Sequence, residues 1–81
     1  MRVTVRLFAR LRELAGTEAL TREMAAGSTV ADAWTALVRE VPALEPFGAT
    51  VSAAVNDDYA PMRRTLNDGD DLAFLPPVSG G

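Results

Sequence analysis

The sequence predicts an α+β domain in which one mixed β-sheet carries a single main helix across one face. Three observations point there. Residues 2–8, 51–56 and 71–75 alternate apolar with polar or small side chains, the period of a half-buried strand. Between them Val30, Ala33, Trp34, Leu37, Val38 and Val41 recur at helical spacing on one face. Turn residues punctuate the chain at Ala25-Ala26-Gly27-Ser28, Asn56-Asp57-Asp58 and Asn67-Asp68-Gly69-Asp70. A run of strands broken by one long helix favours a sheet with the helix on one side.

Taken in order, Arg2-Val3-Thr4-Val5-Arg6-Leu7-Phe8 places Val3, Val5 and Leu7 inward, and Arg2, Thr4, Arg6 and Phe8 outward. Phe8 breaks that polar outer set, so its ring is either covered by a loop or kept for a partner. Ala9 to Ala15 holds strong helix formers and reads as a turn or two of helix closed by Gly16, with its arginines solvated. Glu18 to Met24 is a weaker strand, with Leu20 and Met24 in phase. Thr29 followed by Asp32 has the form of a capping box for the main helix, which Pro42 stops. Asp32 and Arg39 suit the helix dipole and Glu40 opposes it. Trp34 reads as core.

Pro42 to Ala49 reads as a loop. Val51 to Asn56 is the next strand, with Val51, Ala53 and Val55 inward. Tyr59 to Leu66 reads as a short edge strand and connection, because Pro61 cannot donate to a ladder; Arg63 and Arg64 read as solvated. The acidic stretch Asn67 to Asp71 lacks the spaced ligands and closing glutamate of a calcium loop, so it reads as a tight Asp-Gly turn. In the last strand, Asp71 to Leu75, Leu72 and Phe74 share one face and Leu75 takes the other. Phe8, Leu75 and Tyr59 are thereby expected on the face away from the helix, an apolar patch suited to docking.

After Leu75 the chain reads Pro76-Pro77-Val78-Ser79-Gly80-Gly81. Two prolines fix φ and favour an extended path, so residues 76–81 are expected to project from a folded unit of residues 1–75. At ~3.1 Å per residue the tail reaches roughly 18 Å. Glycines without side chains allow a terminal carboxylate into a channel too narrow for other residues. A glycine end also occurs where it does nothing, and by itself the tail fits both readings equally.

Composition removes many chemistries. With 81 residues, 48% of them hydrophobic, the chain supports one small domain with a modest core. It has no cysteine, no histidine and no lysine; all eight basic residues are arginine. Thiolate nucleophiles, cysteine metal ligands, side-chain Schiff bases and the lysine-bearing phosphate loop are therefore excluded. Serine or threonine nucleophiles would lack a histidine or lysine base. A net charge of −3 without a basic cluster argues against nucleic acid. Arg2 and Arg6 interrupt the first apolar run, and no run approaches a membrane span, so a cytoplasmic protein without a membrane partner is expected.

The segments Leu7-Phe8-Ala9-Arg10-Leu11-Arg12-Glu13-Leu14-Ala15-Gly16, Asp68-Gly69-Asp70-Asp71 and Leu75-Pro76-Pro77-Val78-Ser79-Gly80-Gly81 closely resemble the small subunits of molybdopterin synthase. These are ubiquitin-like sulfur carriers. The terminal glycine pair is shared with ubiquitin-like modifiers and the thiamine sulfur carrier; the proline pair and the early Phe-Ala-Arg-Leu run are more specific. Residues 18–24 and 43–50 match weakly. The resemblance implies a β-grasp fold and no bound cofactor or metal. It implies that Gly81 is adenylated by an ATP-using enzyme of the ubiquitin-activating type and becomes a thiocarboxylate. The tail would then enter the large subunit, in a heterotetramer, and give sulfur to cyclic pyranopterin monophosphate. Catalytic residues would belong to the partner. The face around Phe8, Tyr59 and Leu75 would dock on both partners, Tyr59 being the least constrained position. A carrier for thiamine or another pathway, a conjugating modifier and an inert interaction domain remain as alternatives.

Overall fold

The computed structural model describes residues 1–77. Strand β1 (Arg2–Leu7) is followed by helix α1 (Ala9–Ala15), strand β2 (Ala19–Glu23), helix α2 (Val30–Glu40), a 3-10 helix (Pro42–Phe47), and strands β3 (Ser52–Val55), β4 (Asp58–Ala60) and β5 (Asp71–Leu75). The sheet order is β2-β1-β5-β3-β4. Parallel β1 and β5 form its centre, and the antiparallel pairs β1–β2 and β3–β4 flank them.

The alternation on β1 works as its sequence requires: Val3, Val5 and Leu7 are buried under α2 while Arg2 and Arg6 stay exposed. Ala53 and Val55 from β3, with Leu72 and Phe74 from β5, complete the same inner face. Helix α2 covers it with Val30, Ala33, Trp34 and Leu37, while Val38 is only half-buried. The Trp34 indole meets the Phe74 ring edge-on, with centroids 5.0 Å apart.

Both ends of α2 follow from local chemistry. Thr29 Oγ1 accepts from the Asp32 backbone N–H at 3.2 Å, and Asp32 Oδ2 accepts from the Thr29 N–H at 2.9 Å, a complete capping box. At the other end Glu40, whose charge opposes the dipole, accepts hydrogen bonds from Arg22 of β2 and so ties the helix end to the sheet edge. The β3–β4 hairpin closes through Asn56 and Asp57, both at positive φ (51° and 73°), the backbone a two-residue hairpin turn requires.

One expectation is corrected. Pro42 to Ala49 was expected as a loop, but residues 42–47 form a 3-10 helix whose Leu44 is fully buried. Pro42 occupies the first turn, where its missing N–H is harmless, and only Leu44 and the half-buried Phe47, one 3-10 turn apart, face the core, too short a pattern for the sequence to display as a helix.

Candidate functional site

Every inward residue of β5 has an outward neighbour, and that alternation builds the opposite face of the sheet. Phe74 is fully buried; Leu75, next along, is half-buried on the outer side. Strand register sets what surrounds it. Leu75 lies opposite Ser52 of β3, while Ala73 lies opposite Ala54 of β3 and Arg6 of β1. Ala54 in turn lies opposite Tyr59 of β4. Leu7 pairs with Phe74, so Phe8 and Leu75 are each the next residue along adjacent parallel strands.

The outcome is an open apolar floor of Ala54, Ala73 and Leu75 with an aromatic at each side. Phe8 is 44% exposed and Tyr59 80%, the two large exposed hydrophobics among the described residues. Three strand spacings of ~4.8 Å separate them by about 14 Å across the strands, and Phe8 lies two residues further along than Arg6, the β1 residue level with Tyr59. Small residues between large ones make a shallow seat. Sequence reading had placed Phe8, Tyr59 and Leu75 on this face but had not picked out Ala54 and Ala73, although the same alternation sends both outward.

Arg6 supplies the charge on this face. Its Nε donates to both carboxylate oxygens of Asp71, at 2.9 and 2.8 Å, and that pairing raises the guanidinium pKa through the hydrogen bond and the carboxylate charge. Both side chains are about half exposed, so the pair orients Arg6 and adds little stability. Arg12 of α1 lies 3.8 Å from Glu18, and together with Arg6 and Leu7 these residues line a small polar recess beside Phe8.

The acidic turn is a brace at the far end of the sheet. Asp70 is nearly buried and accepts from the Asn67 backbone N–H at 2.7 Å and from Asn56 Nδ2 at 2.9 Å. Those two hydrogen bonds, in that order, hold its carboxyl below the usual aspartate value despite burial. Asn56 Oδ1 accepts from the Asp71 N–H at 3.0 Å, and Asp68 Oδ1 from the Arg2 N–H at 2.7 Å. The turn thereby fixes the starts of both β1 and β5. Sequence reading took Asp70 for a turn residue and missed that Asn56, fourteen residues earlier, is its partner.

Pro76 is half-buried and Pro77 exposed where the chain leaves β5. Val78, Ser79, Gly80 and Gly81, the residues on which the carrier reading places its chemistry, lie outside the described residues.

A five-stranded mixed sheet of this order, clasping one helix and led out through its central last strand, defines the ubiquitin-like β-grasp class. The model of the ThiS family matches residues 5–81. The chain belongs to that family. Over 79 residues it is 40% identical to the molybdopterin synthase sulfur carrier subunit of Arabidopsis thaliana, covering 98% of this chain and 82% of the relative. The crystal structure of SAMP1 from Haloferax volcanii superposes with a TM-score of 0.88 at 36% identity, over the full length of both chains. A chain in the complex of subunits 1 and 2 of molybdopterin-converting factor from Helicobacter pylori matches at a TM-score of 0.69 and 27% identity, again over both full lengths.

Proposed function

We propose that this chain is a sulfur carrier of molybdenum cofactor biosynthesis, acting in the cytoplasm as the small subunit of molybdopterin synthase. The observation that carries the reading is a family match that runs through the terminal glycine pair, on a fold whose central strand leads straight from an apolar floor into the tail. In this account the Gly81 carboxylate attacks the α-phosphorus of ATP on an activating enzyme and pyrophosphate leaves. Sulfur at the hydrosulfide level then attacks the acyl carbon and displaces AMP, leaving a thiocarboxylate. Within the large subunit the sulfur passes to cyclic pyranopterin monophosphate, and water adds at the acyl carbon to restore the carboxylate.

The division of labour follows from chemistry. A free carboxylate is a poor acyl donor, and this chain lacks the phosphate loop that would make the anhydride itself. Activation therefore falls to a partner, and recognition to the body. Ordering about four tail residues beyond the prolines costs roughly 4 to 8 kcal/mol. Burying Phe8, Leu75 and Tyr59, at ~1.5 to 3 kcal/mol each, offsets that cost. The Helicobacter complex supports a paired subunit. Reconstitution with the large subunit and its pterin substrate tests the reading: the thiocarboxylated chain converts substrate, and a chain lacking Gly81 docks but does not. Turnover by the deletion variant would refute it.

The likeness to SAMP1, and 38% identity to small archaeal modifier protein 1 over 94% of this chain, favour protein conjugation as a second reading. Its signature is Gly81 in an isopeptide bond. Without lysine, the chain itself presents no ε-amine, so conjugates of that kind would form on other proteins.

A further inference from the structure

The chain leaves β1 through a residue in an uncomfortable conformation. Ala9 sits at φ 50°, in the left-handed region, where an L-residue's Cβ crowds its own carbonyl. The other described residues at positive φ are Gly16, Gly27, Gly69, Asn56 and Asp57, types that tolerate it. Strain at an alanine persists only where its surroundings over-determine it.

Here they do. Leu7, on one side, is 2% exposed and its N–H donates to the Glu18 carbonyl at 2.9 Å. Leu11, on the other, is fully buried, and its N–H donates to the Phe8 carbonyl at 3.1 Å. Only residues 8–10 separate these anchors. Phe8 keeps extended dihedrals (φ −122°, ψ 153°), so it continues the strand and its ring stays outward. The reversal that brings Leu11 back to the core therefore falls on Ala9. With Ala9 extended, Leu11 loses its place or Phe8 follows it inward.

We infer that Ala9 is a positioning residue, whose left-handed backbone holds the Phe8 ring on the outer face beside the root of the tail. The inference rests on the proposed docking role of that face. Glycine would adopt this φ without the penalty, whereas a β-branched residue, for which positive φ is a genuine outlier, would be driven out of it.

Four variants test it: Ala9→Val, which disfavours positive φ, Ala9→Gly, Phe8→Ala, and a synthetic chain with Ala9 replaced by its D-enantiomer, for which φ near +50° is unstrained. Aromatic NMR signals of Phe8 in the free chain give a readout that needs no partner. The parent, Ala9→Gly and the D-enantiomer chain should show the same ring environment, and Ala9→Val a different one. An unchanged Phe8 signal in Ala9→Val, or an averaged one in Ala9→Gly, would overturn the inference. Against the large subunit, Ala9→Val should bind about 2- to 10-fold more weakly, the penalty of immobilising one further side chain. Ala9→Gly and the D-enantiomer should bind as the parent does, and Ala9→Val should have no added effect in a Phe8→Ala background. An equal loss in that background would show a merely structural role and overturn the inference. If Phe8→Ala alone binds like the parent, the docking reading fails instead, while the NMR comparison still decides the positioning.

Discussion

The Trp34 ring meets Phe74 edge-on beneath α2, and Phe74 is the residue immediately before Leu75, the last of β5. One contact thus locks the main helix to the strand that precedes the tail. Phe74→Ala should destabilise the fold by about 3–5 kcal/mol, the range for emptying a buried aromatic site. Denaturant unfolding checks this, and a loss under ~1 kcal/mol would mean that the Trp34–Phe74 contact does not anchor β5.

Capping sets a smaller term. Thr29→Ala removes the hydroxyl that accepts the Asp32 N–H and should cost about 1 kcal/mol. Thr29→Ser keeps the oxygen and should lose little. Equal losses in both would point to the methyl group rather than the cap.

The brace at Asp70 predicts an acid-dependent stability. Its carboxyl is held below the usual 3.8, so the folded form binds its proton less readily than the unfolded chain. That contribution is present above pH 3.8 and is lost as pH falls through the lower folded value. Asp70→Ala should cost about 1.5–3 kcal/mol at neutral pH, the worth of hydrogen bonds to a charged acceptor, and flatten the acid limb of the stability curve. A variant whose acid limb matches the parent's would remove Asp70 from the account.

Phe8→Ala and Tyr59→Ala should separate recognition from folding. Both side chains are exposed, so stability should stay within ~0.5 kcal/mol of the parent. Affinity for the large subunit should fall, by up to ~1.5–3 kcal/mol for Phe8 if its ring becomes fully buried there. Calorimetric titration checks it, and unchanged affinity in both variants would move the docking surface elsewhere.

Most of the architecture was legible because it is periodic or punctuated. The alternation of Val3, Val5 and Leu7, the Thr29–Asp32 spacing, the Gly16 stop and the Asn56-Asp57 turn each express a local rule that the fold obeys. What escaped was set by tertiary contact. Leu44 and Phe47 are one inward pair in a short 3-10 helix, and the Asn56–Asp70 bond joins two turns distant in sequence. Ala9 carries no mark of its left-handed φ, since alanine is not one of the residue types that favour it. On the outer face, Phe8 announced itself by breaking a polar alternation. Ala54 and Ala73 matter by being small, which leaves no such signal.

The central claim concerns the atom borne at the end of the chain. The most direct measurement is intact-mass and C-terminal peptide spectrometry of the chain after incubation with its activating enzyme, ATP and a sulfur source. Replacement of one oxygen by sulfur at the Gly81 carboxyl, dependent on ATP, is the predicted result. A terminus that stays a carboxylate under those conditions, or emerges only in amide linkage to another protein's lysine, would contradict the account.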